Sequence, residues 1–153
     1  MRTLLVCLCL ATCSAGELYQ KRPGSQTRWS TFENAKAARG AAASSNRGAK
    51  GHAFEPLPTR QSKTLLDVQG SGAVRRIWIT IPLRDPLMLR SLRLDMFWDH
   101  APTPAVSVPF GDFFGAIHGR AVRLENDLFS NPEGRSFNCY IPMPFRTGAR
   151  ITV

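Results

Sequence analysis

The chain is poor in the features that staple small proteins or mark their cofactors. Of its four cysteines, Cys7, Cys9 and Cys13 crowd the N-terminus and only Cys139 remains in the body of the sequence. A single thiol forms no intramolecular disulfide, and no CxxC-type pair offers a zinc site. Cys139 lies in an apolar, aromatic stretch and reads as a small buried hydrophobe rather than a nucleophile. The three histidines, His52, His100 and His118, are scattered through loop-like sequence and read as surface residues, not metal ligands. No glycine-rich phosphate loop, nucleophile elbow or HExxH motif occurs. No metal and no cofactor are therefore expected, and stability must come from a hydrophobic core.

Long apolar runs are also missing. Thr3 to Ala11 is apolar but far shorter than the roughly 18 to 20 residues that cross a bilayer as a helix. With Arg2 ahead of it and the small residues Ser14, Ala15 and Gly16 behind, it reads as a signal peptide over residues 1–16. A buried N-terminal strand is the bland alternative. Leu10-Ala11-Thr12-Cys13 also resembles a bacterial lipobox, which would place a lipid anchor at Cys13, although threonine fits poorly just before that cysteine. Either form implies an exported protein, secreted or periplasmic.

Acidic residues are scarce beside basic ones, and the formal net charge is +9. The excess is unevenly placed. Residues 17–63 hold nine Lys/Arg against three Asp/Glu, whereas residues 64–153 hold ten against eight. The basic segment lacks aromatic interleaving and any nucleic-acid-binding motif, so a solvated arm is the better reading and no nucleic-acid partner is expected. Residues 17–62 form this irregular basic arm, with one short helix expected around Phe32–Ala38.

From Lys63 onward short strands alternate with Gly/Pro turns. Thr64–Gln69 ends at Gly70-Ser71-Gly72. Ala73–Ile81 is rich in β-branched residues, with Ile77, Ile79 and Ile81 on one side and Arg76, Trp78 and Thr80 on the other. Leu89–Trp98 alternates with period two, Leu92, Leu94 and Met96 opposing Arg93, Asp95 and Phe97; a helix is its rival. Ala105–Val108, Ser136–Ile141 and Ala149–Val153 complete the set. This spacing predicts an all-β, antiparallel sandwich of the jelly-roll kind over residues 63–153. The sheet-like residues Thr152-Val153, with no turn behind them, suggest that this domain is cut short at its C-terminus. Half of a double sandwich would expose its partner face and dissolve poorly.

Four stretches in order carry a specific resemblance: Thr64–Gly72 running into Val74–Thr80, then Leu92–Asp99, then Pro104–Gly115, then Phe137–Phe145. Together they resemble the N-terminal half of the DUF2961 proteins, now glycoside hydrolase family 172. The resemblance implies two jelly-roll sandwiches per protomer, this chain supplying the first, in homo-oligomers such as trimers. It also implies action on glycosidic bonds of fructofuranose- or arabinofuranose-type sugars. Asp99-His100 departs from the family pattern, in which glycine often follows the aspartate.

A glycosidase needs two carboxyl groups across the scissile bond. Asp99, Asp112, Glu125, Asp127 and Glu133 are the candidate sugar-facing carboxylates. The resemblance places the catalytic glutamates later than Val153, so no catalytic residue is assigned in this chain. The expected sugar-binding residues are Trp98, Asp99, Asp112, Phe113, Asn138 and Tyr140. Trp98 would stack on a sugar ring or else pack in the core. Asp99 would accept hydroxyls or else start a turn. Asp112, set between glycine and two phenylalanines, needs hydrogen-bond partners whether it holds a loop or a ligand. Asn138 and Tyr140 share one face of a strand, and packing at the rim is the alternative for Tyr140. The sequence thus points to an exported glycoside hydrolase-type protein with a carbohydrate substrate; the alternative is a non-catalytic jelly-roll module that binds carbohydrate or forms oligomers.

Overall fold

The computed structural model describes residue 21, residues 23–49 and residues 51–153. The signal-peptide and Cys13 readings fall on residues 1–16, outside the described residues. Among the described residues ten strands build the fold: β1 Thr64–Gln69, β2 Gly72–Val74, β3 Ile77–Ile79, β4 Arg93–Trp98, β5 Val106–Pro109, β6 Leu124–Glu125, β7 Phe129–Asn131, β8 Phe137–Cys139, β9 Met143–Phe145 and β10 Gly148–Thr152. Two short helices join them, α1 Pro86–Ser91 and α2 Phe110–Phe113. One sheet has the order β1-β10-β4-β5 and the other β3-β8-β7-β6, with β2-β9 as a two-stranded bridge. All pairings are antiparallel.

The organising feature is one long ribbon. β1 pairs with β10, β2 with β9 and β3 with β8, so residues 64–79 run antiparallel to residues 137–152 and pass together from the first sheet to the second. This rolling of a paired ribbon across both sheets makes the chain an all-β jelly-roll sandwich. The expected strand Ala73–Ile81 is accordingly two strands, interrupted at Arg75-Arg76, where the chain leaves the bridge for the second sheet. The inner strands close locally, β4 with β5 and β6 with β7. The β6–β7 hairpin was not expected from the sequence.

The core lies between the sheets. Leu94, Met96 and Ile151 face it from the first sheet, and Phe137 and Cys139 from the second. Phe110 and Phe114 fill one end, their rings 4.9 Å apart. Phe137 meets Phe110 edge-on at 5.1 Å, a favoured aromatic geometry. Burial pushes the Cys139 thiol pKa up, which fits a packing role.

Leu89–Trp98 is not one strand. Its first part belongs to α1, because Asp85 accepts a hydrogen bond from Met88 N (3.1 Å) as N-cap and Pro86 occupies the first helical turn. The period-two pattern holds only from Arg93 to Trp98. Nor is Phe32–Ala38 helical. There Asn34 ties the chain into turns, accepting from Ala38 N (2.8 Å) and donating to Trp29 O and Ala38 O. Glu33 gathers the next segment by accepting from the N–H groups of Ser44 and Ser45. This arm lies along β1: Asp67 N donates to Ala35 O (2.7 Å) and Ser30 Oγ to Leu65 O. It thereby covers backbone groups that an edge strand would leave open to pairing with another chain.

Candidate functional site

The outer face of the second sheet carries the clearest binding chemistry. β3 turns Ile77 and Ile79 toward the core, and alternation sends Trp78 to the opposite side. Trp78 pairs in register with Asn138 on β8, and Asn138 with Ser130 on β7. Trp78 is 58% exposed, although tryptophan is on average a largely buried residue. Its ring is held by a hydrogen bond from Nε1 to Ser136 Oγ at 2.7 Å.

Asn138 lies beneath this surface, only 5% exposed. Its carboxamide is fully engaged: Oδ1 accepts from Arg76 (2.8 Å), and Nδ2 donates to Ser130 O (3.2 Å) and Ser136 O (3.1 Å). Arg76 also lies 5.5 Å from the centroid of the Tyr140 ring, a cation–π distance. Asn138 therefore fixes Arg76, and Arg76 fixes Tyr140. The result is a preset strip of indole, guanidinium and phenol, with aromatic faces for C–H surfaces and N–H groups for hydroxyls.

The six expected site residues divide among three places. Asn138 and Tyr140 belong to this strip. Trp98, at the end of β4, packs against the core cluster. Asp99 follows it in a turn, at φ 54°, and its Oδ1 accepts from Arg146 N (2.7 Å), Thr147 N (2.8 Å) and Gly148 N (3.4 Å). The N–H of Thr147, followed by that of Arg146, holds the Asp99 carboxyl below its ordinary value. This carboxylate closes the turn into β10.

Asp112 and Phe113 sit on α2. Asp112 pairs with Arg90 of α1, while its Oδ1 is buried without a hydrogen-bond partner. Phe113 meets Phe114 at 4.9 Å and Phe129 at 5.9 Å, both edge-on. Gly111 explains the rest of the motif. A Cβ there would stand 2.9 Å from that of Leu89, so glycine is what lets α1 and α2 touch.

Arg76, Trp78 and Ser136 were not among the expected site residues. Alternation alone places Arg76 and Trp78 on one face; only the β3–β8 register brings them to Asn138 and Tyr140.

The second sheet of this rolled β-sandwich thus offers an aromatic and guanidinium strip on its outer face. A family model described as GH172 domain-like matches residues 52–153, and the chain belongs to that family, which relates it to glycoside hydrolases. No curated protein matches the chain.

Proposed function

We propose that this chain forms the sugar-contacting sandwich of an exported glycoside hydrolase that acts on fructofuranosides or arabinofuranosides. The observation that carries this reading is the Trp78–Asn138–Arg76–Tyr140 strip on a domain of the GH172 family. Trp78 takes the apolar face of a sugar ring, and Arg76 and Tyr140 hydrogen-bond its hydroxyls. Export is supported by the signal-like residues 1–16; assembly into homo-oligomers rests on the family resemblance alone.

The hydrolytic acids come from elsewhere in this reading. Of the five candidate carboxylates, Asp99 is taken up by backbone donors, Asp112 by Arg90, Glu125 by Arg123 (3.8 Å) and Glu133 by Arg135 (3.0 Å). Among the described residues only Asp127 has no such partner, and one carboxylate is half of what glycoside hydrolysis needs. The same fact favours the second reading, a non-catalytic binding module.

Calorimetric titration of the 153-residue chain with arabinofuranosyl and fructofuranosyl oligosaccharides tests the proposal. Saturable binding that Trp78→Ala abolishes, without release of free sugar, supports it. Binding that survives Trp78→Ala would remove the strip from consideration, and no binding to either sugar class would remove the assignment. Restoration of hydrolysis by a second, glutamate-bearing polypeptide separates the enzyme from the binding module.

A further inference from the structure

The outer face of the first sheet carries a separate polar set. Phe97 on β4 stands opposite Arg150 on β10, and Arg150 stands opposite Asp67 on β1. With Gln69, His100 and Pro102 they line a groove of about 320 Å³.

Three observations mark this groove as built for a ligand. First, the Arg150 guanidinium lies 3.8 Å from the centroid of the Phe97 ring, which restrains it in place. Second, among the described residues neither Arg150 nor Asp67 has an ion-pair partner, although they face each other across adjacent strands. A cation and an anion so placed normally pair with each other. Here each is left to meet something else. Third, His100 follows Asp99 with a second positive φ, 62° after 54°. Glycine would hold that conformation without strain, yet the chain keeps an imidazole there. Its ring rests over Gly148, where an added Cβ would come within 3.0 Å of it.

We propose that this groove binds a sugar acid, a hexuronate or a uronate-terminated glycan. Its carboxylate pairs with Arg150, whose planar guanidinium suits that group. Its hydroxyls donate to Asp67 and Gln69, and its carbon skeleton lies against Pro102. A neutral sugar leaves Arg150 unmatched, and a simple carboxylate leaves Asp67 and Gln69 unmatched. The site lies on the other sheet from Trp78 and does not depend on the function proposed above.

The test is titration of the ¹⁵N-labelled full chain with glucuronate, followed by amide chemical shifts. Saturable shifts at Gln69, His100, Gly148 and Arg150 are expected, with methyl glucoside, acetate and glycine at least about tenfold weaker, as loss of a charge-assisted hydrogen bond predicts. Asp67→Asn and Arg150→Gln should each weaken glucuronate binding about tenfold, while Trp78→Ala leaves it unchanged. Asp67→Asn keeps the backbone bond to Ala35 O, so an unchanged melting temperature shows that the fold is intact. Equal responses to methyl glucoside, acetate or glycine, shifts confined to Trp78 and Tyr140, absence of saturation, or an unaltered affinity in Asp67→Asn would each overturn the proposal.

Discussion

Replacing Arg76 by alanine removes the one donor to Asn138 Oδ1 among the described residues, and the cost can be worked from the surroundings of that oxygen. Asn138 is 5% exposed and its Nδ2 is held by Ser130 O and Ser136 O, so the carboxamide cannot swing out to water. A buried acceptor left without a donor costs about 1–3 kcal/mol. Loss of the cation–π contact to Tyr140, at an exposed site, adds about 0.5–1 kcal/mol. Arg76→Ala is therefore expected to destabilise the fold by about 1.5–4 kcal/mol. Asn138→Leu removes the acceptor of that bond and also takes the Nδ2 donor away from Ser130 O and Ser136 O, whereas the double variant removes both partners of the Arg76–Asn138 bond. The double variant should then be less destabilised than the two single changes added together, with a coupling of about 1–2 kcal/mol. Urea unfolding of the four proteins, followed by tryptophan fluorescence, measures it. Additive effects would show that Arg76 and Asn138 do not support one another, and the strip would lose its claim to be preset.

Phe137→Ala is expected to cost about 3–5 kcal/mol, because the side chain is fully buried against Phe110 and Phe114; a midpoint in urea close to that of the parent would contradict the core assignment. Asp85→Ala should cost about 1 kcal/mol by uncapping α1, and an unchanged melting curve would mean that α1 needs no cap. Asp99 and Glu33 are both held below their ordinary values, Asp99 chiefly by backbone N–H groups and Glu33 chiefly by the Ser45 hydroxyl. Their stabilisation is present above the unfolded-chain value near pH 4 and is lost as pH falls through the lowered folded values. Melting temperature should therefore drop below about pH 4, less steeply in Asp99→Asn, and identical slopes in the two proteins would refute the Asp99 contribution.

The sandwich was legible because two of its signals are short-range. Alternation at Ile77-Trp78-Ile79 and at Leu94-Asp95-Met96 identifies inner and outer faces without knowledge of partners. Glycine and proline mark most of the turns. The misreadings occur where local chemistry competes with that pattern. Asp85-Pro86 starts a helix inside an alternating stretch, and the Asn34 carboxamide holds turns in a segment whose composition suits a helix. The site was less legible for a different reason. Asn138 and Tyr140 were identifiable as neighbours on one expected strand, but their companions Arg76, just before β3, and Trp78, on it, lie some sixty positions away. No spacing along the chain encodes that register. Asp99 and Asp112 illustrate the converse: a carboxylate beside aromatics looks the same in sequence whether it faces a sugar, a row of N–H groups or an arginine.

The paired ribbon has a consequence for how the molecule is made. Thr64 on β1 finds its partner only at Thr152, and Ile79 on β3 only at Phe137. During synthesis the first three strands therefore emerge with no stable ladder to join, while the β4–β5 and β6–β7 hairpins close from local sequence. Non-local pairing of this kind folds slowly and leaves strand edges open in the interval. The arm, made before β1 and seated on it through Ser30 and Ala35, is available throughout that interval, and its hold on Leu65 and Asp67 makes it a shield for the nascent strand as well as a border of the finished sheet.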